Sequence, residues 1–322
     1  MEKLTLQIYS GDKIQEPVTL EGITWETARK GEPSKLSFTV VKDDKLSFDE
    51  GSEVSLRYGD VNVFHGFVFQ KQRNKEHHIQ VTAYDQLRYL KASDTYIFEG
   101  VRADQIVKRI AEDFKLKVGK LENTGFVIPT LDGSNKSLFD TILDAIDLTV
   151  LNTGNLFYLY DDFGEITLKN IKSSATDLLI TPETAEDFDY SSSIDSNTYN
   201  QIKIQVKDEK AGNSTTYIVK DGEKINQWGV LQYYKEIQNC ENPAEEAKTL
   251  LKLYNKVTRS LTINNQLGDI RVRAGTGVYL DLNLGDKIID KKLFLVDKAT
   301  HVFNNGTHFM DLTLNGRTEF YE

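Results

Sequence analysis

Apolar and polar residues alternate through the first part of the chain with the period of two that is typical of half-buried β-strands. Two apolar triplets show this most clearly: Leu4, Leu6, Ile8 and Leu36, Phe38, Val40. Further on, the runs Val54–Tyr58 and Val61–Phe67 flank Gly59-Asp60, and apolar runs around such a turn predict a β-hairpin. Short strands at this spacing favour a sandwich or a small barrel over residues 1–95.

The period changes between residues 96 and 185. Four apolar residues spaced three and four apart predict one buried helix face: Ile106, Val107, Ile110 and Phe114. A second helix is predicted to begin at Ser137, which can cap backbone N–H groups, with Asp140 at the capping-box position. Two strands around Asp161-Asp162-Phe163-Gly164 then predict another hairpin. This middle segment is expected to be a compact α+β domain.

The strand pattern returns over residues 186–322 and is interrupted once. Asn242-Pro243-Ala244-Glu245 predicts a helix start, with Asn as the cap, Pro at the first position and Glu reaching back. The inserted helix is expected over about residues 242–258. The chain then ends in two strands joined by Asn304-Asn305-Gly306, a hairpin turn.

Two of these β segments resemble each other. The segment Gly51-Ser52-Glu53-Val54-Ser55-Leu56 is similar to Gly275-Thr276-Gly277-Val278-Tyr279-Leu280, and an aromatic strand follows each. Each segment ends in a strand led by a histidine, His78 or His308. Either β-hairpins simply resemble one another, or one small barrel occurs twice in the chain.

Charge and composition narrow the class of protein. The net charge of −10 disfavours attraction of the whole chain to nucleic acid or to an anionic membrane. The alternating N-terminus lacks the apolar core of a signal peptide, and no stretch approaches the ~18 apolar residues of a membrane span. The single cysteine, Cys240, cannot form an internal disulfide, which fits synthesis in a reducing cytoplasm.

No motif for catalysis, cofactor binding or metal binding accompanies these elements, so we expect no enzyme and no cofactor. The five histidines lack the spacing of a metal site: His65, His77, His78, His301 and His308. His77-His78 is expected in a solvated hairpin loop, and His301 with His308 in cross-strand packing. Asp162-Phe163-Gly164 matches a kinase triplet without its companion motifs, which favours a turn.

Adjacent acids and one pair of arginines complete the candidate residues. Asp43-Asp44 and Asp161-Asp162 are expected to be solvated turn acids, because neighbours on a strand point to opposite faces. In Arg271-Val272-Arg273, the two guanidiniums would share one face of a strand and could bind carboxylates of a neighbouring subunit. Internal pairing of Arg271 or Arg273 with Asp269 or Asp281 is the alternative.

Several stretches resemble a known family of phage and prophage-derived contractile tails, the XkdQ/YqbQ family. In the last third they are Tyr199-Asn200-Gln201-Ile202-Lys203-Ile204, Gln227-Trp228-Gly229-Val230-Leu231-Gln232-Tyr233-Tyr234 and Gly268-Asp269-Ile270-Arg271-Val272-Arg273-Ala274-Gly275. Near the N-terminus, Phe64-His65-Gly66 and Ala83-Tyr84-Asp85-Gln86-Leu87-Arg88-Tyr89-Leu90 are similar to the wider late-control D and VgrG-like hub group.

The resemblance implies a mainly β baseplate hub with two tube-like β-barrels, over residues 1–95 and 186–322, and an α+β domain over 96–185. Three such subunits would offer six barrels, matching a sixfold tail tube and a threefold central spike. The implied partners are further copies of the chain, the tube protein, the spike and other baseplate proteins, within a virion or a phage-tail-like particle. No lysozyme-like or spike domain is expected before the chain ends at Glu322.

Two other classes of function stay open from the sequence. A tail-associated cell-wall or glycan hydrolase predicts two carboxylates that converge in a cleft. A carbohydrate-binding adhesin predicts exposed aromatic platforms, for which Tyr233-Tyr234 is the candidate. The residues also leave open whether the particle is a phage or a bacteriocin-like device.

Overall fold

The fold is mainly β, as the sequence predicts. The structure, a computed structural model, describes residues 2–315 except for residues 21, 196, 209–212, 239–241 and 286–287. Cys240 therefore lies outside the described residues. The strands are β1 (Leu4–Ser10), β2 (Lys13–Gln15), β3 (Ile23–Ala28), β4 (Lys35–Val41), β5 (Glu53–Tyr58), β6 (Val61–Arg73), β7 (His78–Tyr84), β8 (Ser93–Asp94), β9 (Ile97–Arg102), β10 (Val118–Leu121), β11 (Val127–Asp132), β12 (Lys136–Ser137), β13 (Phe157–Asp161), β14 (Ile166–Asn170), β15 (Ala175–Ile180), β16 (Asp187–Ser193), β17 (Gln201–Asp208), β18 (Asn213–Lys220), β19 (Gln232–Gln238), β20 (Thr258–Leu267), β21 (Gly277–Asn283), β22 (Ile288–Asn304) and β23 (Thr307–Asn315).

The helices are few and short. They are α1 (Ala103–Asp113), α2 (Leu138–Thr153), α3 (Gly222–Trp228) and α4 (Pro243–Tyr254), with 3-10 helices at Gln86–Lys91 and Ile171–Ser173. By their contacts the residues fall into two compact units, one of Met1–Asp189 with Leu261–Glu322 and one of Tyr190–Ser260.

One 13-stranded sheet runs through the larger unit. Its order is β16-β20-β23-β22-β3-β4-β7-β6-β5-β1-β2, and β21 pairs with both β22 and β15. The alternation seen in the sequence sets its packing, since the apolar residues of β4 are buried and their polar neighbours are half-buried. The hairpin predicted around Gly59-Asp60 is confirmed as β5 and β6, with Tyr58 opposite Val61.

The middle segment has its own apolar core. Ile106, Val107 and Ile110 of α1 are buried and pack with the buried face of α2, as the helical spacing predicts. The Ser137 hydroxyl accepts a hydrogen bond from the Asp140 N–H at 3.0 Å, so the predicted start of α2 is confirmed. Strands β13 and β14 form the predicted hairpin.

The smaller unit is an α+β insertion that begins within β16 and ends within β20. Strands β18, β17 and β19 form its three-stranded sheet, with β17 antiparallel to β18 and parallel to β19. Helix α4 packs on this sheet through Ala247 and Leu250. Pro243 opens α4 as predicted, but the Asn242 side chain makes no capping hydrogen bond, so that detail of the prediction is wrong.

The internal repeat is present as a five-stranded unit that occurs twice. In the first copy the strand order is β5-β6-β7-β4-β3, and in the second it is β21-β22-β23-β20-β16. Corresponding strands follow one another in the same order along the chain, with β3 matching β16 and β4 matching β20. Resemblance between single hairpins cannot produce a shared order of five strands.

The turn before β5 in the first copy and the turn before β21 in the second copy are held by the same hydrogen bonds. In the first copy, the Gly51 N–H donates to the Val68 carbonyl at 2.8 Å and the Val68 N–H donates to the Ser52 carbonyl at 2.9 Å. The Ser52 hydroxyl accepts from the Asp49 N–H at 3.0 Å. This turn fixes where β6 leaves β5.

The second copy repeats these hydrogen bonds. The Gly275 N–H donates to the Val296 carbonyl at 2.8 Å and the Val296 N–H donates to the Thr276 carbonyl at 2.9 Å. The Thr276 hydroxyl accepts from the Arg273 N–H at 3.2 Å. The sequence alignment of the two glycine-led segments is therefore confirmed.

Both copies also carry a β-bulge at one matching residue. The register shifts after Val68 in the pairing of β6 with β7 and after Val296 in the pairing of β22 with β23. Counting from these bulges, His78 corresponds to Phe309 and not to His308, so the sequence alignment of the last strands is one residue out of register. The expectation of two closed β-barrels, and with it the three-domain division, stays a prediction.

The two matching glycines provide a test of the repeated turn. Both have positive φ, +88° at Gly51 and +93° at Gly275. A side chain at Gly51 would meet no atom within 4 Å, whereas one at Gly275 would overlap the ring of Tyr158. We expect Gly51→Ala to lower the free energy of unfolding by about 1–2 kcal/mol through backbone strain.

Gly275→Ala is expected to cost about 1–3 kcal/mol more, because the methyl group also displaces a buried ring. Urea denaturation of both variants checks this. Equal losses of stability would show that Tyr158 does not restrict the second turn.

Candidate assembly site and a buried polar cluster

Strand β22 joins the two copies of the repeated unit. Its first part, up to Leu295, pairs with β21, and its later part, from Lys298 to Phe303, pairs antiparallel with β3. At the start of the second ladder Arg29 Nε donates to Asp297 Oδ1 at 2.6 Å. Within one chain, the first five-stranded unit therefore pairs with the second through β3 and β22.

The side chains across this contact are tightly packed. Trp25 of β3 stacks on His301 of β22 with ring centroids 4.9 Å apart, and both residues are buried. The buried Thr27 hydroxyl accepts from the Ala274 N–H at 2.9 Å. Aromatic stacking and a satisfied buried hydroxyl both stabilise the ladder.

A buried polar cluster lies where three separate stretches of the larger unit meet; we define it as the buried Asp85, Gln86 and Asp161 with the half-buried Arg273. Gln86 Nε2 donates to Asp161 Oδ2 at 2.8 Å, and Arg273 Nη2 donates to the Asp161 carbonyl at 3.0 Å. The Arg273 guanidinium also lies 4.2 Å from the ring centre of Tyr160, within cation–π range.

Backbone N–H groups donate hydrogen bonds to both carboxylates of the cluster. Asp85 accepts from the N–H groups of Ser34 at 2.9 Å and Leu87 at 3.0 Å. Asp161 accepts from the N–H of Gly164 at 2.6 Å. The first carboxylate thereby orders the 3-10 helix after β7, and the second orders the hairpin turn between β13 and β14.

Burial sets the protonation of these carboxyl groups. Burial and then the neighbouring charge of Asp161 raise the pKa of Asp85 to about 7, and the Arg273 guanidinium opposes that rise. Burial likewise raises the pKa of Asp161, against the hydrogen bond from Gly164. Two buried acids without compensation would be costly, and here the hydrogen bonds they accept and the nearby positive charge of Arg273 both offset that cost.

Two of the stretches that carry the family resemblance supply this cluster. Asp85 and Gln86 belong to the Ala83–Leu90 stretch, and Arg273 to the Gly268–Gly275 stretch. Asp161 is buried, so its prediction as a solvated turn acid is wrong, while Asp162 is exposed as expected. The signal was present in the apolar run before Asp161, which marks a buried strand end.

The arginine pair does not lie on a strand. Residues 269–273 form a turn in which the Val272 N–H donates to the Asp269 carbonyl at 3.0 Å, so the prediction of a shared strand face is wrong. Arg271 is exposed and binds Asp269 at 2.7 Å and Asp177 at 2.8 Å. The predicted internal pairing with Asp269 is therefore found. A role of Arg271 and Arg273 at a subunit interface stays a prediction.

The histidine pair packs across β22 and β23, as predicted. His301 Nε2 lies 2.8 Å from the Val272 carbonyl and His301 Nδ1 lies 2.8 Å from His308 Nε2. Because a carbonyl can only accept, His301 carries its proton on Nε2 and His308 donates to Nδ1. Burial lowers the pKa of His301 to about 3 and that of His308 to about 4.

The remaining candidates do not form sites of their own. Tyr233 is half-buried against Tyr199 and Tyr254, while Tyr234 is 48% exposed, so the two do not make one aromatic platform. Within the described residues, no group of three or more His, Cys, Asp or Glu side chains could hold a metal ion. No helix in the same part of the chain has the length and apolar character to cross a membrane.

The two arginines allow a matched test of the buried polar cluster. We expect Arg273→Met to lower the free energy of unfolding at pH 7.5 by about 2 kcal/mol, because the hydrogen bond to the Asp161 carbonyl and the contact with Tyr160 are lost and the buried carboxyl groups lose a nearby positive charge. Arg271→Met removes an exposed ion pair and should cost less than about 1 kcal/mol. Urea denaturation measures both.

The loss at Arg273 should shrink at pH 5. The pKa of Asp85 is raised above that of an unfolded aspartate, so lowering the pH favours the neutral, folded form. A deficit for Arg273→Met that is equal at pH 5 and pH 7.5 would contradict the coupling of Arg273 to the carboxyl groups.

The histidine pair predicts acid sensitivity. Both folded-state pKa values lie below the ordinary value of 6.5, so the unfolded chain takes up protons first and stability falls as the pH drops from 6.5 to 4. His308→Gln keeps a donor for His301 and should flatten this slope by up to about 1.4 kcal/mol per pH unit. His77→Gln in the exposed hairpin loop is the control, and equal slopes would refute the assignment.

Comparison with known proteins agrees with the resemblance seen in the sequence. The chain matches the family model described as YQBQ-like over residues 23–315. Uncharacterized protein YqbQ and phage-like element PBSX protein XkdQ, both of Bacillus subtilis (strain 168), are each 30% identical over 93% of this chain and 91% of their own length.

A solved structure shares the fold along its whole length. The 43 kDa tail protein of prophage MuSo2 from Shewanella oneidensis superposes with a TM-score of 0.72 at 13% identity, covering 100% of both chains. At that identity the likeness shows the fold alone. The family itself is established by the two Bacillus relatives and by the model that spans β3 to β23: this chain is a member of the YqbQ-like family.

Proposed function

We propose that this chain is a structural subunit of a phage tail or phage-tail-like particle, and that it acts there as a baseplate hub. The observation that carries the proposal is the five-stranded unit that occurs twice in one chain. Three copies of the chain would place six such units in a ring, with threefold symmetry of chains and near-sixfold symmetry of units.

That arrangement suits two partners of different symmetry. A sixfold tail tube would meet six similar surfaces on one side of the ring, and a threefold central spike would meet three identical chains on the other. The name of the XkdQ relative, a protein of a phage-like element, and the tail-protein fold support this location.

A structural role also fits the chemistry of the two carboxylates that come together. Asp85 and Asp161 are buried and bound to backbone N–H groups, which leaves them ordering loops and not facing a substrate. A glycan hydrolase needs its carboxyl groups open to the sugar and to water. We therefore propose no catalytic residue and no cofactor for this chain.

Electron microscopy of purified particles tests the proposal. We expect a ring of three chains with six copies of the five-stranded unit, placed between the tail tube and the spike. Particles from a strain that lacks this chain are the control and should lose the ring.

A different number of chains, or a position away from the end of the tube, would contradict the hub role. Cleavage of cell-wall glycan by the purified chain would contradict the purely structural role.

A further inference from the structure

We infer that neighbouring copies of this chain join through β-strand pairing, with β16 of one copy adding antiparallel to the outer edge of β6 of the next. The outer edge of β6 is defined as Gln70–Arg73 on the side away from β7. The inference rests on the proposed ring and names the strands that close it.

The contact between the two five-stranded units of one chain shows what such a junction looks like. The later part of β22, beyond the bulge at Asp297, pairs on one side with β23 and on the other with β3 of the first unit. Strand β3 is the end strand of its own five-stranded unit. In this contact the long strand β22 of the second five-stranded unit has a free edge along its later half, and the end strand β3 of the first unit pairs with that edge.

The corresponding half of β6 in the first five-stranded unit has one edge that pairs with no strand of the described residues. Counting from the bulges, Gln70–Arg73 of β6 matches Lys298–His301 of β22. On the side away from β7, β5 pairs only as far as Phe67, and no further strand pairs beyond it in the part of the chain that the structure describes. Unpaired N–H and C=O groups on a strand edge favour the addition of another strand.

The strand that matches β3 in the second unit is β16. It pairs with β20 on one side and ends the order of the sheet, so its other side pairs with no strand in the described ranges. Both halves of the junction found within the chain are thus present a second time, at opposite ends of the repeated pair. Within one chain, the order of the sheet keeps β16 apart from the outer edge of β6. A contact between these two strands therefore needs a second copy of the chain.

Charge supports this assignment. The outer edge of β6 and the turn after it carry Lys71, Arg73 and Lys75, and β16 begins with Asp187 and Asp189. Arg73, Lys75, Asp187 and Asp189 are exposed, whereas Lys71 is half-buried and already pairs with Asp49. In a chain of net charge −10, a basic edge opposite an acidic strand favours this pairing over pairing of two like edges.

The junction is head-to-tail, since two different surfaces meet. Head-to-tail contacts close into rings when the rotation between copies is a whole-number fraction of a full turn without a shift along the axis. The rotation between the two units of one chain then repeats between chains, which is the condition for six similar units in a ring of three chains.

A charge exchange tests the pairing in particles assembled in cells. Arg73→Glu with Lys75→Glu should lower incorporation of the chain into purified particles roughly tenfold, because like charges then face each other. Asp187→Lys with Asp189→Lys should do the same. The chain with all four substitutions should regain most of the incorporation, since the charges are opposite again.

The matched control for the exchange at Arg73 and Lys75 is Lys108→Glu with Lys172→Glu, which makes the same change of charge at exposed positions away from both strands. It should leave incorporation unchanged, and thermal unfolding of each purified variant confirms that it folds. Loss of incorporation in both two-residue variants, without recovery in the chain with all four substitutions, would overturn the pairing of these strands.

The density map of the wild-type ring separates this inference from the proposed function. A ring of three chains whose junction uses β6 and β16 agrees with both. A ring whose chains meet through other strands would overturn the inference and leave the hub role standing, whereas particles without a ring would overturn the hub role itself.

Discussion

The pairing of β3 with the later part of β22 is the interaction on which the architecture of the larger unit depends. A long strand with only half of one side paired leaves backbone N–H and C=O groups without partners, and burying such groups is costly. The ladder from Lys298 to Phe303 satisfies them with residues more than two hundred positions earlier in the chain. Two similar units thereby become one continuous sheet.

Side chains reinforce that ladder from several directions. The stack of Trp25 on His301, the ion pair of Arg29 with Asp297 and the buried hydroxyl of Thr27 all lie at this junction. The loop whose Ala274 N–H donates to the Thr27 hydroxyl also contains Arg273, which extends into the buried polar cluster. The joint between the units and the position of the middle segment are therefore linked through one short loop.

The sequence predicted the elements well where local periodicity decides them. The alternation in β4, the apolar stripe of α1 and the cap at Ser137 depend on neighbours a few residues away, and each appears as expected. The repeat could also be found, because its two glycine-led turns demand the same residue types. Its last strand was misaligned by one residue, because the hairpins that precede β7 and β23 differ in length and only the strand pairing reveals the register.

Long-range features could not be predicted in the same way. Nothing near Arg273 in the sequence indicates Tyr160 or Asp161, and its spacing from Arg271 suggested a strand where a turn exists. The sequence also could not show that β17, β18 and β19 form a separate sheet, because their apolar and polar residues alternate like those of the larger sheet. Local pattern gives the type of an element, and only the fold decides which elements pair.

The two bulges show what is gained when a duplicated unit is carried on one chain. The extra residue is Phe69 in the first unit and Asp297 in the second, an aromatic side chain in one and an acid bound to Arg29 in the other. In a ring built from six identical chains, any substitution would be copied into all six places at once. In this chain the two bulges mutate independently, so the one at Asp297 can serve the joint between the two five-stranded units while the one at Phe69 is free to take a different role.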